Sequence, residues 1–226
     1  MLLSVELTPN DEMLNTMSSE AESALNQMLN GLNRSVGGRF LFSGTATDGH
    51  AVIDSDTMLN ELRTALAGQT DVVGVEAALD AWFDTAGGGF ETTGYLGSTT
   101  SLAPMRLSKT ESANVDIRAD DQVFRDTMKA LAKAALATDS SLALPENVKI
   151  ELIGNAALDL QTAQAHMVEL RSGLGALQQR IEETSTRNSA ERAATTIARV
   201  ELVGTDQFET ATRYENTRAQ LESLYA

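Results

Sequence analysis

The last third of the chain constrains the fold most, because apolar residues recur there at helical spacing over a long stretch that contains no proline. No proline occurs from residue 146 to the end. The apolar positions alternate gaps of three and four residues, at Leu160, Ala163, Met167, Leu170, Leu174, Leu177 and Ile181. A sustained average of about 3.5 residues is typical of the seam of a coiled coil. This seam is equally compatible with packing inside one chain and with packing between chains.

The same stretch predicts an unusually long helix. A single helix over residues 147–203 would extend roughly 85 Å at about 1.5 Å per residue. A filament subunit uses such a length, whereas a compact enzyme does not require it. If the apolar residues beyond Ile181 lack a partner, we expect the chain to fold back between residues 184 and 189 or to pair with another copy.

A second amphipathic helix is predicted near the N-terminus, over residues 11–36. Its apolar stripe comprises Leu14, Met17, Ala21, Leu25, Met28, Leu32 and Val36. Gly37 and Gly38 are predicted to end this helix, because glycine readily adopts the left-handed conformation found there. We expect the stripe to pack antiparallel against the seam from Leu160 to Ile181, which would bury Leu174 in a helical bundle.

The middle of the chain has shorter periodic segments. Helices are predicted over residues 57–66, 75–83 and 122–137, and two short strands over 105–109 and 113–118. The fold class predicted for the whole chain is therefore mainly α. Residues 1–45 and 146–226 would form a long helical bundle or coiled-coil domain from both chain ends, and residues 46–145 an inserted smaller α+β lobe.

Composition excludes several function classes. The 226 residues include 17 Lys and Arg against 32 Asp and Glu, a formal charge of −15, which disfavours binding to nucleic acid or to anionic membranes. The chain has no cysteine and only two histidines, His50 and His166, so thiolate and histidine-rich metal sites are excluded. Leu2 and Leu3 are followed at once by Ser4 and Glu6, so we expect no signal peptide.

Acidic clusters are the remaining candidates for chemistry. One comprises Asp116, Asp120, Asp121 and Asp126, and another comprises Asp48, His50, Asp54 and Asp56. Neither has the spacing of a known calcium loop, and aspartates commonly cap helices or lie in solvent. His166 is expected to be solvated. We therefore predict no catalytic, cofactor-binding or metal-binding residues, no cofactor and no enzymatic activity.

Two motifs resemble a known family. Residues 170–180 read LRSGLGALQQR, and Ala198, Arg199, Val200, Glu201, Asp206, Ala211 and Gln220 follow at a distance of about 25 residues. This pattern resembles the C-terminal helix of bacterial flagellins and their relatives. Residues 38–45 read GRFLFSGT. This turn resembles that of the hook-associated protein 3 branch of the family, which joins the flagellar hook to the filament.

The resemblance implies a structural subunit of the bacterial flagellum, outside the cell and exported without a cleaved signal peptide. Its partners would be other copies of itself, other hook-associated proteins and flagellin subunits, with no nucleic acid, membrane or small-molecule substrate. The alternatives are a flagellin of the filament itself, or a surface-binding module that would expose aromatic residues such as Phe90 and Tyr95. The family polymerises through segments that would lie before residue 11 and after Tyr225, and we expect these segments to be missing here. We therefore expect no filaments from this chain alone.

Overall fold

A computed structural model of the chain describes residues 10–204 and 206–225. The fold is mainly α, as predicted, with a long C-terminal helix and two very small sheets. The helices are α1 (Asp11–Leu32), α2 (Ser55–Leu66), α3 (Val72–Phe83), α4 (Gln122–Leu136), α5 (Glu146–Val203) and α6 (Gln207–Leu224), with a π-helical turn at Phe90–Gly94. The strands are β1 (Ser35–Val36), β2 (Arg39–Phe40), β3 (Met105–Arg106) and β4 (Ser112–Ala113). Leu2, Leu3, Ser4 and Glu6, on which the expected absence of a signal peptide rests, lie outside the described residues.

Helix α1 ends earlier than predicted, at Leu32 rather than Val36. Gly37 and Gly38 do not end the helix, because they form the two-residue turn between the antiparallel strands β1 and β2. Their φ angles of 60° and 78° suit this hairpin turn, which requires positive φ at both central positions. The hairpin leaves Val36 exposed, so it does not extend the buried stripe of α1.

Helix α1 packs extensively against α4, and Met28 and Leu32 of α1 line one depression with Met167 of the predicted seam. Ala21 of α1, Ala134 of α4 and Ala156 of α5 pack together, which places a contact with α5 before the seam begins. Within the predicted seam, Ala163 is buried and Leu160, Met167 and Leu170 are half-buried against the core, but Leu174 is 38% exposed. The predicted burial of Leu174 is therefore wrong.

A large hydrophobic core joins α1 to the middle of the chain. Leu25 of α1, Leu62 of α2, Phe83 of α3, Met128 of α4 and Leu152 of α5 all belong to it. The structure divides into two compact units, one comprising residues up to Met105 together with Asn114–Gly175, and the other comprising Arg106–Ala113 with the residues from Ala176 onward. We call them the large unit and the small unit. The boundaries of these units, after residues 105, 113 and 175, differ from those of the predicted insertion over residues 46–145. The insertion itself stays a prediction.

Two further expectations need correction. The strands predicted over residues 105–109 and 113–118 are reduced to β3 at Met105–Arg106 and β4 at Ser112–Ala113. Leu107 and Ser108 donate their backbone N–H groups to the carbonyl of Glu111 in the turn, and Val115 is exposed. The predicted fold-back between residues 184 and 189 does not occur, since α5 continues without interruption to Val203. The helices predicted over 57–66, 75–83 and 122–137 are present with slightly shifted ends.

Candidate assembly surface

The last residues of α5 and the whole of α6 expose large apolar side chains. Exposed fractions are 60% for Ile197, 63% for Val200, 70% for Tyr214, 52% for Leu221 and 80% for Leu224. We call these five residues the C-terminal stripe. Large apolar side chains exposed along a helical segment favour association with another surface.

The described side chains of α6 are exposed, and local interactions stabilise the helix. Asp206 caps its N-terminus by accepting hydrogen bonds from the backbone N–H groups of Phe208 and Glu209, at 2.8 and 3.3 Å. Ion pairs one turn apart join Glu209 to Arg213 and Arg218 to Glu222. Such pairs each stabilise a helix by only about 0.2–0.5 kcal/mol. Helices of this length gain most of their stability from packing. We therefore expect α6 to be stabilised further when a partner packs against it.

The turn between β3 and β4 packs on α5 within the small unit. Glu111 accepts hydrogen bonds from Arg180 Nε at 2.6 Å and from Thr184 Oγ1 at 3.1 Å. These two hydrogen bonds lower the pKa of the Glu111 carboxyl. Asn188 Nδ2 donates to the carbonyl oxygen of Leu107 at 2.8 Å. Sequence reasoning missed this attachment, because nothing in the local pattern links Glu111 to a helix about 70 residues away.

Beside this turn lies an open groove of about 770 Å³, which we call the hairpin groove. It lies between the tip of the β3–β4 hairpin and the α5 segment that contains Arg187 to Thr196. Its charged lining residues are Lys109, Arg187, Glu191 and Arg192. Ser108, Thr110, Thr195 and Thr196 also line it. The groove therefore has an excess of positive charge, in a protein whose formal charge is −15.

The turn at residues 38–45, with the sequence GRFLFSGT, lies in the large unit and packs closely against its neighbours. Gly44 has a φ of 59°, and a Cβ at this position would lie 2.4 Å from the carbonyl oxygen of Ser98, so only glycine fits. The ring of Phe42 packs edge to face against that of Phe124, with centroids 5.9 Å apart. Both rings line an open, apolar depression of about 400 Å³, together with Met28 and Met167.

The first aspartate cluster is only partly assembled. Arg118 gathers three of its members: its Nε donates to Asp120 at 2.8 Å, its NH1 to Asp116 at 3.3 Å and its backbone N–H to Asp121 at 2.9 Å. Burial raises the pKa of Asp121, although the hydrogen bond from Arg118 opposes this. Asp121 occupies the N-cap position of α4, but its side chain makes no capping hydrogen bond. Asp126 is bonded to Gln122 instead.

The second cluster is also not assembled around a common centre. Asp54 caps α2, since it accepts the backbone N–H of Thr57 at 2.9 Å, and this bond lowers its pKa. The ring of His50 lies 4.9 Å from that of Phe40 in an edge arrangement, and His166 is exposed as expected. Over residues 10–204 and 206–225, no three His, Asp or Glu side chains converge as a metal site would require.

The aromatic residues named for surface binding are buried. Phe90 is stacked between Phe83 and Tyr95, with ring centroids 5.8 and 6.5 Å away. The hydroxyl of Tyr95 donates to the carbonyl oxygen of Ser98 at 2.9 Å. Burial, with the negative charge of Asp120, raises the pKa of Tyr95 to about 12. The expectation that Phe90 and Tyr95 form an exposed binding surface is therefore wrong.

A buried lysine is the most notable polar feature that the sequence did not reveal. Lys133 of α4 donates to Glu76 at 2.9 Å and to Asp159 at 2.7 Å, and Asn155 also donates to Glu76. Burial acts to lower the pKa of Lys133, but the bonds to Asp159 and Glu76 outweigh it and the net pKa is raised. This network ties α3, α4 and α5 together. Sequence reasoning missed this network, because Glu76 and Asp159 lie 57 and 26 residues away from Lys133.

Comparison with known proteins identifies only the C-terminal part of the chain. Residues 158–226 match the family described as the bacterial flagellin C-terminal helical region. No similar curated protein and no similar solved structure was found. The match covers 69 of the 226 residues, so it shows a likeness of this C-terminal segment to that region. None of the described helices has both the length and the apolar character needed to cross a membrane.

Proposed function

We propose that this protein is a structural subunit of the bacterial flagellum that joins the hook to the filament. The flagellar assignment rests on one observation: the family match and the exposed apolar side chains occur in the same C-terminal segment. The match to the flagellin C-terminal helical region covers residues 158–226, and the C-terminal stripe lies within it. A helical region that exposes Val200, Leu221 and Leu224 has a direct reason to associate with other subunits.

The proposed action is mechanical. The exposed apolar side chains of α5 and α6 become buried when subunits associate, which supplies roughly 25 cal/mol for each square ångström of apolar surface removed from water. The core around Leu25, Leu62 and Met128 lies in the large unit, apart from the C-terminal stripe. No reaction or cofactor is involved in this proposal. The partners are other copies of the chain, other hook-associated proteins and flagellin subunits, outside the cell.

The junction role depends on the turn at residues 38–45. Its sequence resembles that of hook-associated protein 3, and the turn is fixed by Gly44 and by the contact between Phe42 and Phe124. A flagellin of the filament remains the alternative, since residues 158–226 match a region that flagellins possess.

Immunogold electron microscopy of purified flagella tests both levels of the proposal. An antibody against the large unit should label one short zone at the boundary between hook and filament. Label along the whole filament would replace the junction role by that of a flagellin. Flagella without label, from cells that express the protein, would contradict a flagellar role altogether.

A further inference from the structure

The negative charge of this protein is concentrated in one of its two compact units. The residues assigned to the large unit include nine Lys and Arg and 23 Asp and Glu, a formal charge of −14. Those assigned to the small unit include eight basic and nine acidic residues, a formal charge of −1. Two copies that approach through their large units therefore repel each other, whereas the small unit adds little repulsion.

The hairpin groove is the part of the small unit best suited to receive an acidic partner. Lys109, Arg187 and Arg192 line it, with Glu191 as its one lining carboxylate. Arg180 is already paired with Glu111. Over the described residues, neither Lys109 nor Arg192 has a carboxylate within ion-pairing distance. The groove thus presents two cations that form no ion pair within residues 10–204 and 206–225.

We infer that the hairpin groove of one copy binds the acidic surface of the large unit of a second copy. This inference rests on the proposed function, because it requires that copies of the chain associate. Charge complementarity selects the occupant: the large unit of the same protein has a formal charge of −14 and is present wherever subunits meet. Complementary charges of this kind determine orientation and association rate more than they determine affinity.

Lysine-specific cross-linking gives a direct test, because the chain has only four lysines: Lys109, Lys129, Lys133 and Lys149. A carbodiimide joins a lysine amine to a carboxylate in contact with it, with loss of water. Unlabelled and ¹⁵N-labelled full-length chains are mixed, cross-linked and digested, and mixed-isotope peptides identify the links between copies. We expect Lys109 to be joined to Asp or Glu within residues 10–105 or 114–175 of the other copy.

A matched pair of variants tests the contribution of the groove. Arg192→Gln removes a groove cation and should lower the yield of mixed-isotope Lys109 links about threefold or more, as should a rise in salt concentration. Arg34→Gln removes the same charge from an exposed position of the large unit and should not lower the yield.

Three results would overturn the inference: Lys109 links found only within one chain, Lys109 links to acidic residues of the small unit, or equal yields for R192Q and wild type. These results would leave the flagellar assignment intact, because that is tested separately by immunogold labelling. Conversely, if the antibody did not label purified flagella, the proposed flagellar role would be rejected, whatever the result of cross-linking.

Discussion

The hydroxyl of Ser18 donates a hydrogen bond to the carbonyl oxygen of Ala134 at 2.7 Å, at a buried point where α1 meets α4. Both side chains are small, and the two helices approach closely there. Ser18→Leu should therefore destabilise the fold by about 1–3 kcal/mol through overpacking. The exposed Ser19→Leu serves as the control and should change the free energy of unfolding by less than about 0.5 kcal/mol. Equal urea midpoints for the two variants would contradict this packing.

Two leucine truncations test where the core lies. Leu62 of α2 is fully buried, whereas Leu174 of α5 is 38% exposed. Leu62→Ala should cost about 2–5 kcal/mol because it leaves a cavity. Leu174→Ala should cost less than about 1 kcal/mol, since less apolar surface is lost. Urea unfolding of both variants, followed by circular dichroism, measures the difference, and a larger loss for L174A would favour the bundle of the chain ends predicted from the sequence.

The Lys133 network predicts a specific dependence of stability on pH. Burial acts to raise the pKa of Glu76, but hydrogen bonds from Lys133 and Asn155 outweigh it, and the net pKa lies below the ordinary value of 4.5. A lowered carboxyl pKa stabilises the folded state above pH 4.5, and this contribution is lost as the pH falls through the folded-state value.

Lys133→Met should therefore reduce stability at pH 7 by about 1–3 kcal/mol and weaken its fall with acid, because the charge that favours ionised Glu76 is gone. Urea unfolding between pH 3 and 7 gives both quantities, and Lys149→Met is the control. Parallel pH profiles for wild type and K133M would show that Lys133 does not set the pKa of Glu76.

Tyr95 should ionise only under strongly alkaline conditions. Burial and nearby Asp120 raise its pKa to about 12, so the folded protein disfavours the phenolate and loses stability as the pH rises above the ordinary value of 10. An ultraviolet titration of folded protein should show a tyrosine that ionises at about pH 12. That step should be absent from Tyr95→Phe. Its persistence in Y95F would assign the high pKa to another tyrosine.

Periodicity predicted the helices well, because apolar residues that recur every three or four positions form the face that a helix buries. The long helix α5 and helix α4 follow directly from such spacing. Spacing could not show which helices meet, since Leu14 to Leu32 present the same apolar face to any partner. The choice of α4 depends on fitting small residues such as Ser18 against Ala134, which only the folded chain reveals.

The candidate assembly surface was partly predictable. The continuing apolar spacing through Ile197, Val200 and Leu221 indicated a surface that requires a partner, and these side chains are exposed in the structure. The hairpin groove was not predictable, because it depends on the contacts of Glu111 with Arg180 and Thr184. Charge counted over the whole chain also concealed the difference between the large and small units.

The central claim is that the C-terminal stripe is buried by flagellar association, and the absence of cysteine makes it directly measurable. Single variants Leu221→Cys and Leu224→Cys, with Thr99→Cys as an exposed control in the large unit, are labelled with a maleimide as free chains and in purified flagella. All three should react as free chains. In flagella, positions 221 and 224 should be protected while position 99 still reacts; equal reaction of all three in flagella would contradict the account.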